Sequence, residues 1–196
     1  TEDLAAPLSA EDQQVQSMED ASPTKWHLAH VSWFFETFIL VPFARSYTPF
    51  DASFGYLFNS YYEAVGPRHA RPRRGMLTRP ALSQVMEYRA HVDDAMAAFI
   101  ESAPAEQLSE ALARIELGLN HEQQHQELVL MDIKHMFSCN PLNPAYSNAP
   151  REAGASSQAL DWLEIPGGIY GIGHTGDGFA FDNEGPRHEA LLQDFR

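Results

Sequence analysis

The chain has 196 residues, 44% of them apolar, which is enough for a real core and too much for a disordered segment. Its formal net charge of −14 opposes general binding to nucleic acid or to anionic membranes. The longest apolar run, Phe34 to Phe43, is broken by Glu36, Thr37 and Pro42 and is too short to span a bilayer.

Thr1 to Ala10 lacks a basic start followed by an apolar block, so no signal peptide is expected. The single cysteine, Cys139, excludes an internal disulfide framework and suits a reducing, cytoplasmic location. Ser9-Ala10-Glu11-Asp12 carries a helix-start pattern and predicts a helix to about Met18. Ser22-Pro23 is a stronger start, a capping serine before a proline at the first helical position. The helix it opens should run to about Val41, where Pro42 stops it, and it is apolar nearly all round, as a central buried helix is.

Pro42 to Arg79 is long and irregular and holds four of the seven tyrosines, which favours an ordered functional loop. Arg68, Arg71, Arg73, Arg74 and Arg79 fall within twelve residues there, and no acid lies between Ala64 and Met86. An acidic chain with one arginine-rich loop points to a small anion; the alternative is a solvated loop that offsets the overall charge. Pro80 opens a third helix, to about Glu101, and Pro104 a fourth, to about Phe137, both with apolar residues at helical spacing. Asn140-Pro141-Leu142-Asn143-Pro144 ends the fourth. Ser147 to Gln158 reads as a linker. Leu160 to Gly173 reads as two short strands around a Pro-Gly-Gly turn.

The chemistry sits in Asn120-His121-Glu122-Gln123-Gln124-His125-Gln126-Glu127. Four residues is a little over one helical turn, so His121 and His125 leave the same face and can close on one metal ion. The polar block interrupts a helix otherwise packed with apolar residues, a local rule violation of the kind that marks function. The alternative is a pair of polar histidines satisfied by their neighbours. A third imidazole is offered by His30 on the second helix, with His27, three residues earlier, competing for the role. Glu127 is available as an outer carboxylate, although its angular position points it partly away. Gln124 projects near the metal-facing side, or else faces solvent.

Several stretches resemble the amino-terminal DinB-like domain of the EgtB-type sulfoxide synthases, the hercynine oxygenases of ergothioneine biosynthesis. They are Ser22 to His30, Trp33-Phe34-Phe35-Glu36-Thr37, Asn59-Ser60-Tyr61-Tyr62-Glu63, Gly66-Pro67-Arg68 and His121 to Glu127. Ile165-Pro166-Gly167-Gly168 and Gly178 to His188 resemble the opening of that family's second module, similar to formylglycine-generating enzymes. The resemblance implies a mainly α fold: an up-down four-helix bundle over 1–146 with its first helix truncated, a linker over 147–159, and over 160–196 the first strands of an incomplete α+β module of C-type-lectin-like kind.

It further implies a non-haem Fe(II) held by His30, His121 and His125. The implied reaction is O2-dependent joining of the imidazole of N-α-trimethylhistidine (hercynine) to the thiol of cysteine or γ-glutamylcysteine, with oxidation to the sulfoxide. By matching position, Gln124 would contact the imidazole substrate, and Arg68 and Arg71 the carboxylates of the thiol substrate, a role suited to arginine forks. The family's catalytic tyrosine belongs to the second module beyond Arg196, so this chain alone is expected to be nearly inactive. Two related chemistries share the pattern: a DinB-like metal-dependent thiol transferase, and an ovothiol-type synthase joining histidine to cysteine at another ring carbon.

Overall fold

The computed structural model describes residues 1–147 and 160–196. It is mainly helical and divides into two compact units, Thr1–Asn148 and Ala149–Arg196. The linker expected over 147–159 falls, apart from Ser147, outside the described residues.

The first unit is built on three long helices, α2 (Thr24–Phe35), α5 (Leu82–Ser102) and α6 (Ala105–Ser138), with a short α1 (Glu2–Ala5) against α6. Helix α2 packs on both α5 and α6, and every residue from Thr24 to Phe34 is buried. Its apolar side chains, among them Leu28, Ala29, Trp33 and Phe34, meet Val85, Tyr88 and Val92 of α5 and Ala111 of α6 in one core. Gly118 lets α6 pass close to α2, because a Cβ there would stand 2.8 Å from the Phe35 ring. The polar residues of α2 are paid for by specific partners: the buried Lys25 ammonium donates to the carbonyls of Leu77 at 2.7 Å and Pro80 at 2.9 Å.

The expected start of α2 is displaced by one residue. Pro23 occupies the cap position with extended backbone, and no side chain caps the helix. Ser22 is engaged elsewhere, donating its N–H to Asp132 and accepting from Arg74 on its hydroxyl. Beyond Phe35 the helix widens into a π-helical turn, Glu36–Leu40, and ends in α3 (Val41–Phe43), two residues beyond the expected stop and with Pro42 inside it. The buried Glu36 carboxylate accepts from Tyr47 Oη at 2.6 Å, Tyr88 Oη at 2.7 Å and the Phe50 N–H at 3.0 Å, so this interior charge is fully engaged.

The helix expected over Ser9 to Met18 does not form. The reciprocal start pattern is present, with Ser9 N–H donating to Asp12 and Asp12 N–H to Ser9 Oγ. Only turns follow it, because the glutamines make distant bonds. Gln13 donates to the carbonyls of Ala5 and Leu8, Gln14 to Gly75 at 2.8 Å, and Gln16 to Arg71 at 2.8 Å. Pro42 to Arg79 is ordered as expected, with α4 (Phe54–Leu57) and 3-10 turns at Glu63–Val65 and Arg71–Met76.

In the second unit β1 (Gly168–Ile172) pairs antiparallel with β2 (His188–Leu192), and a bridge joins Ile165 to Phe195 in the same register. Pro166-Gly167-Gly168 therefore interrupts one strand rather than reversing the chain, and the expected local hairpin is replaced by a ribbon closed over a longer connection. Gly167 is required where the ribbon narrows, since a Cβ would stand 2.8 Å from the Leu192 carbonyl oxygen.

Candidate metal centre

The second and sixth helices bring three imidazoles to one point. His121 and His125, one turn apart on α6, have ring centroids 4.6 Å apart. His30, from the middle of α2, lies with its ring 4.7 Å from His125 and 5.0 Å from His121. One nitrogen from each of the three rings lies within 4.8 Å of the other two, and all three residues are buried.

Each ring is held by contacts on its far side. His30 Nδ1 is 2.5 Å from the Phe58 carbonyl oxygen, which can only accept, so Nδ1 carries the proton and the neutral ring presents a lone pair at Nε2. Trp26 stacks on one face of His30 at 4.6 Å and Trp33 on the other at 5.3 Å. Phe34 lies against His121 at 4.6 Å. His125 Nδ1 is 2.8 Å from His27 Nδ1, and His27 Nε2 is 3.0 Å from Asp132 Oδ2.

The competition between His27 and His30 is thus resolved by geometry: His30 joins the cluster and His27 stands behind His125. The outer carboxylate is Asp132, not Glu127, which is exposed. Seven residues after His125 is about two helical turns, which returns to the same face, whereas two residues after it is about 200° round the helix.

Burial leaves these rings neutral. It is the first cause holding His30 well below the ordinary imidazole value, with the neighbouring His121 next. Burial likewise presses His121 down to about 4 against the opposing pull of Glu122. His125 is lowered by burial and then by His30 and His27, and His27 by burial against the opposing effect of its hydrogen bond to Asp132. Neutral imidazoles are what a metal ion needs. The nitrogens His30 Nε2 and His121 Nε2 are 3.2 Å apart. Two nitrogens so spaced and each about 2.0–2.1 Å from one ion subtend roughly 100°, between octahedral and tetrahedral values. His121 Nδ1 is buried without a hydrogen-bond partner, consistent with a ring turned to serve its other nitrogen. The residues present fit a divalent cation, with three neutral donors on one side of it.

The rings line a cavity of about 250 Å³, shared with Ser60, Tyr62, Arg71, Arg74 and Gln124. Arg74 is buried, its guanidinium 3.4 Å above Trp26, with Nη1 donating to Ser22 Oγ at 2.9 Å and Nη2 to Ser60 Oγ at 3.3 Å. Burial, and then Arg71, presses it down to about 9, still charged at neutral pH. Arg71 donates to Tyr61 Oη at 2.6 Å and to the Asp20 carbonyl. The Nε atoms of both arginines are buried without partners, and among the described residues no carboxylate pairs with either. The cavity therefore has three neutral imidazoles on one face and two guanidinium groups on another.

Of the residues singled out from sequence, His30, His121, His125, Gln124 and Arg71 meet at this cavity. Arg68 does not line it; its side chain is exposed, 3.8 Å from Glu63 and over the Tyr61 ring. Sequence reasoning did not single out Arg74 from its loop, and it passed over Asp132, whose seven-residue spacing from His125 was the available signal. A search of curated proteins finds no match to the chain. A family model, the DinB superfamily, matches residues 1–129. The chain belongs to the DinB superfamily, and its three-histidine cluster could hold a metal ion.

Proposed function

We propose that this protein is a non-haem Fe(II), O2-dependent sulfoxide synthase that joins the imidazole of trimethylhistidine to a cysteine-type thiol. The observation that carries the reading is one cavity with three neutral imidazoles on one wall and, on another, two guanidinium groups that no carboxylate pairs with among the described residues. The reaction removes the ring C–H and the thiol S–H, forms C–S and S=O bonds, and reduces O2 by four electrons, with the second oxygen leaving as water. An iron ion bound here would supply Lewis acidity, a lowered thiol pKa and a common template for both substrates and O2.

The chain's own residues do the rest. His30, His121 and His125 gather on one side and leave the cavity side open. Arg71 and Arg74 receive the thiol substrate's carboxylate, which holds its sulfur near the histidines. Gln124 stands at the cavity where it can hydrogen-bond the imidazole substrate. The buried Trp26 and the half-buried Tyr62 wall the cavity against water. The same reading takes the helical unit as a DinB-type four-helix bundle and residues 160–196 as the start of a formylglycine-generating-enzyme-like module.

The test is anaerobic iron binding by the full-length protein, followed by oxygen uptake with trimethylhistidine and candidate thiols. Uptake that needs both substrates and yields the sulfoxide supports the reading. A second reading keeps the site and changes the reaction: three imidazoles suit zinc equally well, as in a metal-dependent thiol transferase. Zinc in the isolated protein, with thiol transfer and no oxygen uptake, would select it.

A further inference from the structure

We propose that Asp132, acting through His27, is a positioning residue that fixes the proton of His125 on Nδ1 and so leaves its Nε2 bare towards the metal. The inference rests on the metal-centre reading above. His27 Nδ1 and His125 Nδ1 are 2.8 Å apart, so one proton lies between them, and it can belong to either ring. The two arrangements have opposite consequences. If His125 owns that proton, its Nε2 is a bare lone pair, free to bind a cation. If His27 owns it, a neutral His125 carries its proton on Nε2, where it blocks coordination.

Asp132 decides between them. Its Oδ2 lies 3.0 Å from His27 Nε2, in a site where both residues are buried. A bare His27 Nε2 would set a lone pair against a carboxylate with no water to intervene, so Nε2 must carry a proton. A neutral His27 then accepts at Nδ1, and His125 must donate. The carboxylate is itself fixed, since Oδ2 also accepts the Ser22 N–H at 2.9 Å, one residue before the proline that caps α2. A residue of α6 thereby ties the start of α2 to the coordinating face of α6, and the Asp132–His27–His125 chain ends on the lone pair that completes the triad.

The test uses Co(II) as the probe ion and four full chains: the parent, Asp132→Leu, Asp132→Asn and His125→Ala. Absorption titration should show Asp132→Leu binding about ten- to hundredfold more weakly than the parent, with an altered ligand-field spectrum. Asp132→Asn keeps an acceptor for His27 and should fall between the two, whereas His125→Ala should be weakest. Long-range 15N NMR of the metal-free parent reads the protons directly and does not depend on any variant folding. It should find His27 protonated at Nε2 and His125 at Nδ1. His27 protonated at Nδ1, or at both nitrogens, overturns the proposal. Equal Co(II) affinity in the parent and Asp132→Leu overturns the relay and leaves the metal centre standing. A parent that binds no Co(II) overturns both.

Discussion

The two walls of the cavity are built in opposite ways. The histidine wall comes from α2 and α6, regular helices packed in the core, and its rings are set by stacking on Trp26 and Trp33 and by far-side hydrogen bonds. The arginine wall comes from a 3-10 turn, Arg71–Met76, inside a long irregular segment. Polar tethers from elsewhere hold it: Gln14 and Gln16 bond the backbone of Arg71 and Gly75, and Ser22 and Ser60 accept from Arg74. Under the proposed function the difference matches what each wall would bind. A metal ion demands donors fixed to within fractions of an ångström, which helices supply. A carboxylate is drawn by charge and tolerates a less regular frame.

The largest expected effect breaks the histidine wall alone. His121→Ala should weaken metal binding by more than about 100-fold, beyond the loss typical of an outer partner, while far-UV circular dichroism stays that of the parent. Lost helicity together with no metal in the parent would instead make the histidines structural.

A change of pH probes the same wall through protons. His121 sits at about 4 in the fold against an ordinary value of 6.5, so the unfolded chain binds more protons between those limits. Stability of the metal-free protein should therefore be fully present above about pH 6.5 and decline as pH falls towards 4. The loss is about 3 kcal/mol from this group, and the lowered His27, His30 and His125 act in the same direction. Urea unfolding at pH 7.5 and pH 4.5 measures it; equal midpoints would mean the rings are not held neutral.

The arginine wall should respond differently. Arg74→Met should raise KM for the thiol substrate about ten- to hundredfold, the worth of a hydrogen bond to a charged group, with metal affinity unchanged. A loss of metal together with substrate would show that the walls are not separable. The smallest effect is on the tethers. Gln16→Ala removes bonds to Arg71, Gly75 and Ala21 and should cost about 1–2 kcal/mol in stability, read as a shifted urea midpoint.

Legibility in the sequence divides along the same line. The histidine pair was readable because helical spacing is local: His121 and His125 share a face wherever that helix goes. The ends of α5 and α6 were readable within a residue or two, since Pro80 and Pro104 mark their starts. The helix expected after Ser9 was not, although its local pattern formed, because Gln14 and Gln16 bind the carbonyls of Gly75 and Arg71 far along the chain. The strand pairing differs from the sequence expectation for a related reason: Pro166-Gly167-Gly168 has turn composition, but Ile165 pairs with Phe195, 30 residues on, and Gly168 with Leu192, 24 residues on.

Sequence alone determined that this chain has long helices, one of them central and apolar, and that two imidazoles share a helical face. Tertiary structure decided that His30 rather than His27 is the third, that His27 and Asp132 stand behind His125, and that Arg74 rather than Arg68 reaches the cavity. The physical reason is range. Helical periodicity is fixed by backbone geometry over four residues, whereas the choice between two histidines three apart depends on how α2 is rotated against α6, which the packing of the whole core sets.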